Sequence, residues 1–372
     1  MSVYIRYFGY FVYLLVLWDF SRRNRDLVTK KEIVCGKTVT RYNWIFALIA
    51  VIPLVFFAGT RSKTIGDTGS YMSVFDNAPA SISEIPDYIG NMNKDQMFYA
   101  MTVAIKHFFG NSYKVYFTLI ALFQAVVLAS VLRIYSENYL ISLFIFFASA
   151  DYMSFMNNGI RQFIAVCIIF GASQYIFERK YIHAFISVII AAQFHQSALI
   201  MLPIILIVQG KPWNKSTTII LLFALLSMAF VGNFTNILES MLSETNYSNI
   251  VTSWKEWGDD GTNPLRVAVY CVPSLLSILG LRYIREDNNP VINVCTNMSI
   301  VTVGLYVISM VTSGVYIGRL PIYVSLFSNC ILLPWEIRNI FNRETSVFIN
   351  NSMIICYILF YYYQIHFIWS AV

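Results

Sequence analysis

Apolar runs of close to twenty residues recur from one end of the chain to the other, and nothing constrains its fold more. An α-helix of about 20 residues is what crosses the hydrocarbon of a bilayer. Residues 113–132, 291–311 and 347–368 are such runs. The composition agrees: of 372 residues, 57% are hydrophobic and only 12% charged, about half the charge of a soluble domain. A transmembrane β-barrel would show short segments of alternating hydrophobicity. These runs are continuous. The fold class is therefore all-α, a polytopic bundle of transmembrane helices forming one integral membrane domain over 1–372.

Charge sets the topology. The net charge is +6, and seven Lys/Arg crowd between Arg22 and Arg41. Basic loops stay in the cytoplasm, and no aromatic residues interleave these charges as they would in a nucleic-acid surface. The first run, 3–18, has charge after it rather than before it and no small-residue cleavage site, so it reads as a retained span. Spans follow at 44–57, 113–132, 139–155 and 160–177, and later at 217–231, 265–281, 291–311, 320–335 and 347–368. The stretch 181–208 is one long span or two short ones hinged at Gln193-Phe-His195-Gln196. With a hinge, Lys211, Lys215, Arg282, Arg285, Arg338 and Arg343 are cytoplasmic and only Lys255, Arg266 and Arg319 are outside. Without it the bias inverts, so the hinge is favoured and the total is about 12 spans. The long loops 59–112 and 232–264 are then external. Within the first, 96–109 is too short and interrupted to span, and reads as a helix lying in the interface.

The external face collects the candidate chemistry. Arg61 and Lys63 lead into Gly66-Asp67-Thr68-Gly69, where two glycines permit unusual backbone and close approach of a ligand. Asp67 is a candidate general base or sugar-hydroxyl acceptor; a turn or helix cap is the plainer alternative. Arg161 opens a helix just after Asn157-Asn158-Gly159. A cation there is mildly unfavourable until an anion joins it, when backbone N–H groups and guanidinium serve the same ligand. Arg319, between Gly318 and Pro321, repeats the arrangement, and two such sites suit a diphosphate. Snorkelling to lipid headgroups is the competing explanation. His195, at a helix break within the membrane, is a candidate acid or base. Trp254, Trp257 and Asp259 form a weaker candidate for sugar contact, against the ordinary role of interfacial tryptophans as anchors. The six cysteines are scattered, with no C-x-x-C, and most lie in apolar runs. No cluster has metal-ligand spacing, and no nucleotide fingerprint appears. No metal or cofactor is expected.

Taken together these residues resemble a known family. Arg61 with Gly66-Asp67-Thr68 and Tyr71 resembles the loop of the EpsG-like branch of Wzy-type bacterial polysaccharide polymerases. Asn158-Gly159-Ile160-Arg161-Gln162, then Phe194-His195-Gln196-Ser197-Ala198-Leu199, is similar to the family's central signature, and Gly318-Arg319 to its third element. The resemblance covers nearly the whole chain. It implies a multi-pass enzyme of the bacterial cytoplasmic membrane, with its active site facing the periplasm or exterior. Such an enzyme joins undecaprenyl-diphosphate-linked repeat units for O-antigen, capsule or exopolysaccharide. Donor and acceptor glycans are the implied partners, with a chain-length regulator as a further one. Arg61, Arg161, Arg319, Tyr71, Gln162 and Gln196 are the implied substrate contacts. Paired arginines suit a diphosphate leaving group. The base is His195, with Asp67 as competitor. A flippase for the lipid-linked unit and a membrane acyltransferase are the alternatives. The flippase should line both halves of the membrane with polar residues, whereas here they gather outside.

Overall fold

A computed structural model describes residues 3–34, 36–230 and 261–368. It is helical throughout, apart from one antiparallel hairpin of Thr29–Val34 and Lys37–Tyr42 among the described residues. Among the described residues four helices are long and apolar enough to cross a membrane: Tyr113–Tyr135, Pro290–Met310, Ile317–Asn339 and Arg343–Ile368. The number rises to six if each of two bent pairs is one span. Trp44–Gly59, Ile160–Gly171, Tyr181–Phe194, Gln196–Ile207 and Lys215–Ala229 are shorter apolar helices. Asparagine opens many of these elements. Asn43, Asn138, Asn214, Asn263 and Asn289 each accept a hydrogen bond from a first-turn N–H, which satisfies a donor that the helix leaves orphaned.

The chain forms two compact units, Met1–Ile176 with Lys180–Leu202 and Phe348–Val372, and Phe177–Arg179 with Pro203–Val347. In the first, Trp44–Gly59 packs along Tyr113–Tyr135. Tyr10 and Tyr139 hydroxyls donate to the carbonyls of Ala50 and Ala47 at 3.1 and 2.6 Å. A buried aromatic cluster of Tyr71, Phe75, Phe98, Tyr116 and Phe117 joins the segment 68–109 to the start of the Tyr113 helix. Lys106 fixes that segment by donating to the carbonyls of Phe75, Asp76 and Ala78 at 3.0, 2.9 and 2.6 Å. It caps the helix Thr68–Asn77 from its C-terminal end, where a cation is favoured. The helix Gln96–Phe109 buries Phe98, Thr102 and Val103.

The basic segment 22–41, expected as a plain loop, holds the hairpin. Its Glu32 pairs with Arg133, which is 1% exposed and stacks over Trp44 at 4.5 Å. Arg133 and Phe117 stand 16 residues apart on one helix, about 24 Å at 1.5 Å per residue. The basic hairpin and the aromatic cluster therefore sit at opposite ends of the same unit.

Two breaks shape the rest. Tyr139–Ala148 and Asp151–Asn157 meet at 75°, with Ala150 in the left-handed region at φ 60°. The second break falls at His195, which is extended (φ −158°, ψ 115°) between Tyr181–Phe194 and the 3₁₀ turn Gln196–Ile200. Arg179 and Lys211, which flank this stretch, line one cavity. The break at His195 falls where the sequence places the hinge.

In the second unit, Pro290–Met310 is the central helix, almost entirely buried. Lys215–Ala229, Pro264–Leu279 and Ile317–Asn339 pack around it. Asn297, fully buried, donates to the carbonyls of Val208 and Lys211 at 2.9 and 3.0 Å. A buried backbone turn is thereby satisfied from a neighbouring helix.

Candidate active site

The first turns of helices from distant parts of the first unit meet around one carboxylate, that of Asp95. This residue occupies the N-cap position of Gln96–Phe109, yet its side chain makes no capping bond. Instead Oδ2 accepts from Arg161 Nη1 at 2.8 Å and lies 3.6 Å from His195 Nδ1. Oδ1 is buried without a hydrogen-bond partner. The backbone is left-handed (φ 60°, ψ 29°), a conformation an aspartate tolerates but that costs about 1 kcal/mol or more. An ordinary cap needs neither this backbone nor partners 66 and 100 residues away in sequence.

Exposure divides the roles. The side chain of Asp95 is 1% exposed, whereas those of Arg161 and His195 are 32% and 31% exposed. The carboxylate is a floor, and the guanidinium and imidazole are the groups a ligand can touch. Tyr71 is buried and hydrogen-bonds Arg161. Burial pushes its hydroxyl above the usual tyrosine range, and Arg161 opposes that only in part.

The loop ahead of Tyr71 is fitted to the same place. Gly66 is left-handed (φ 49°), and a Cβ there would come 1.9 Å from Asn158 Oδ1. Only glycine allows this approach. Asn158 and Gly159 in turn start the helix Ile160–Gly171, whose second residue is Arg161. Asp67 is exposed at the N-cap of Thr68–Asn77, forms no capping bond and lies within Coulombic reach of Tyr71.

The remaining candidates are placed as follows. Arg61 is 7% exposed, stacks over Phe117 at 3.9 Å and donates to Asn157 Oδ1 at 3.2 Å. It supports the Asn157–Arg161 segment from within. Gln162 is buried beside Arg161, and Gln196 is half-buried in the turn after His195. Arg319 is exposed in the 3₁₀ turn Ile317–Arg319 of the second unit. Trp254, Trp257 and Asp259 lie outside the described residues. Among the described residues no group of three or more His, Cys, Asp or Glu could hold a metal ion.

Asp95 was not among the residues singled out from sequence. Its only local signal, an aspartate just before an amphipathic helix, is that of a routine N-cap. The arrangement can do two things. A third-open guanidinium at the N-terminal end of its helix can bind an anion. An imidazole whose Nδ1 lies 3.6 Å from a carboxylate oxygen can turn Nε2 outward as an acceptor for a proton.

A model of the EpsG family matches residues 44–370, nearly the whole chain. No curated protein and no solved structure matches it.

Proposed function

Since the chain belongs to the EpsG family, Wzy-like polysaccharide polymerases, we propose that it transfers a growing lipid-linked glycan onto the next lipid-linked repeat unit, with Arg161, His195 and Asp95 at the reacting centre. The family makes the chain a membrane-embedded polysaccharide polymerase. The assignment of roles rests on one observation, the shared Asp95 oxygen between a part-exposed arginine and a part-exposed histidine.

In this reading the donor glycan is carried on undecaprenyl diphosphate and enters from the external leaflet. Its diphosphate meets Arg161 at the N-terminal end of the helix Ile160–Gly171. His195 takes the proton from an acceptor sugar hydroxyl. The oxygen forms a bond to the donor's anomeric carbon, and the bond from that carbon to the phosphate oxygen breaks. The electron pair leaves with the diphosphate, where Arg161 stabilises the developing charge. Asp95 is a positioning residue that holds the imidazole and the guanidinium in one geometry. Tyr71 holds the second side of the guanidinium, and Arg61 supports the Asn157–Arg161 turn from below. Asp67, exposed at the same loop, takes a sugar hydroxyl.

The test of the anion role needs no turnover. Binding of undecaprenyl diphosphate to purified protein in detergent is compared between wild type and Arg161→Gln. A hydrogen bond to a charged group is worth about 1.5–3 kcal/mol, so the affinity should fall roughly 10- to 150-fold. Equal affinities would remove Arg161 from the diphosphate site.

A further inference from the structure

The second unit contains a cavity of about 280 Å³ in which the transfer centre has no part. Three separate loops enclose it. They supply Arg179, Gly210 with Lys211, and Asn288 with the helix-opening Pro290 and Asn293. Arg179 (φ 56°), Gly210 (φ 95°) and Asn288 (φ 45°) are all left-handed, so each loop is set by a specific backbone state. Arg179 and Lys211 are exposed, and neither forms an ion pair among the described residues. The carboxylates adjacent in sequence, Glu178 and Asp287, do not line the cavity.

The floor is polar and incomplete. Pro290 and Asn293 belong to the first turn of a 21-residue helix, which Asn289 caps through Val291 N–H at 3.0 Å. That end carries partial positive charge. Asn293 is 6% exposed. Its amide nitrogen reaches Asn288 Oδ1 at 3.4 Å, while its own Oδ1 is buried with no hydrogen-bond partner. Buried amide oxygens are normally satisfied. Two cations and a helix N-terminus ask for an anion. An unsatisfied carbonyl oxygen asks for a donor on the same ligand.

We propose that this cavity binds a phosphodiester or phosphomonoester that carries a neighbouring hydroxyl, with the phosphate on Arg179 and Lys211 and the hydroxyl donating to Asn293. The chemistry is shared by a glycerol-type anionic lipid headgroup and by a soluble glycerophosphate. The positive-inside pattern puts all three loops on the cytoplasmic side, where such headgroups attract basic residues.

Native mass spectrometry on the full chain tests it. Phosphatidylglycerol, phosphatidylcholine and free glycerol 3-phosphate are each titrated into the delipidated protein. Lysine or arginine contacts to anionic lipid are worth about 1 kcal/mol each, so each cation removed should weaken binding about fivefold. Arg179→Asn keeps a residue that tolerates left-handed backbone, and Lys211→Gln changes an exposed side chain. The pair together should weaken binding about 25-fold by the same constant, and Arg282→Gln, which removes one charge as each single variant does but lies outside the cavity, should not. Retention of phosphatidylglycerol over phosphatidylcholine identifies the lipid. Displacement of it by glycerol 3-phosphate, with tighter binding of the latter, identifies the soluble ligand. The proposal is overturned if Lys211→Gln alone and the double variant bind all three like wild type. It is equally overturned if Arg282→Gln weakens binding as much as they do.

Discussion

Replacing Asp95 with asparagine separates a catalytic scaffold from an ordinary ion pair. The substitution keeps the shape and one carbonyl oxygen for Arg161, 2.8 Å away, but removes the charge facing both Arg161 and His195. Breaking a fully buried pair costs about 3–5 kcal/mol, and an exposed one contributes about 1 kcal/mol or less. Asp95 is buried while Arg161 is 32% exposed, so water compensates part of the loss and the cost is about 1–2 kcal/mol. Most of the protein therefore stays folded, with a thermal midpoint lower by a few degrees. Turnover should fall much further. A positioned general base contributes about 10²–10⁴-fold, and an imidazole that has lost its orienting carboxylate forfeits about the lower figure. The assay measures initial rates of glycan extension per folded molecule, with folded protein counted by size-exclusion chromatography and the midpoint by scanning fluorimetry. A midpoint lowered by a few degrees with kcat within about threefold of wild type would make Asp95 purely structural, and the reasoning above would be wrong.

Tyr71→Phe removes the hydroxyl that holds Arg161 but keeps the ring in its cluster. Stability should change by less than about 1 kcal/mol, while KM for the lipid-linked donor rises severalfold in steady-state assays. Gly66→Ala places a Cβ 1.9 Å from Asn158 Oδ1 at a left-handed position. It should cost about 1–3 kcal/mol and lower the yield of folded protein, and an unchanged midpoint would show that the loop relaxes freely. The Glu32–Arg133 pair gives a pH signature. Burial raises the Glu32 carboxyl, but hydrogen bonds from Arg133 and Lys30 outweigh it, so it titrates below the usual carboxylate range. Its contribution is therefore complete above the ordinary value of about 4.3 and is lost as pH falls through the depressed folded value. Glu32→Gln should cost about 2 kcal/mol at pH 7, because Arg133 stays buried over Trp44 without its partner. The difference from wild type should stay constant above about 4.3 and shrink progressively in melts at lower pH.

Where the helices begin and end was largely written in local chemistry. The short segment 96–109 forms a helix with those same ends, set by Gly110 after it and the polar residues before it. The break at His195 followed from loop charges far from it, because each crossing inverts the side of every later loop. Other features had no local mark. The 75° bend after Ala148 interrupts an apolar run with neither proline nor glycine. The strands of the 29–42 hairpin were masked by lysines that the positive-inside pattern already explained. Arg61, an implied substrate contact by resemblance, is buried under the ring of Phe117, more than fifty residues on, and nothing local to it in sequence marks that. Asp95 shows the limit most clearly. Its two partners lie 66 and 100 residues further along the chain, and no spacing within a helix relates them.

The most direct measurement is extension itself. Purified wild type, Arg161→Ala and His195→Ala proteins are each given a lipid-linked repeat unit, and the products are resolved by length. If a guanidinium and an imidazole gripped by one carboxylate perform the transfer, wild type yields a ladder. The two folded variants then leave the single unit unchanged. A full ladder from either variant contradicts that assignment.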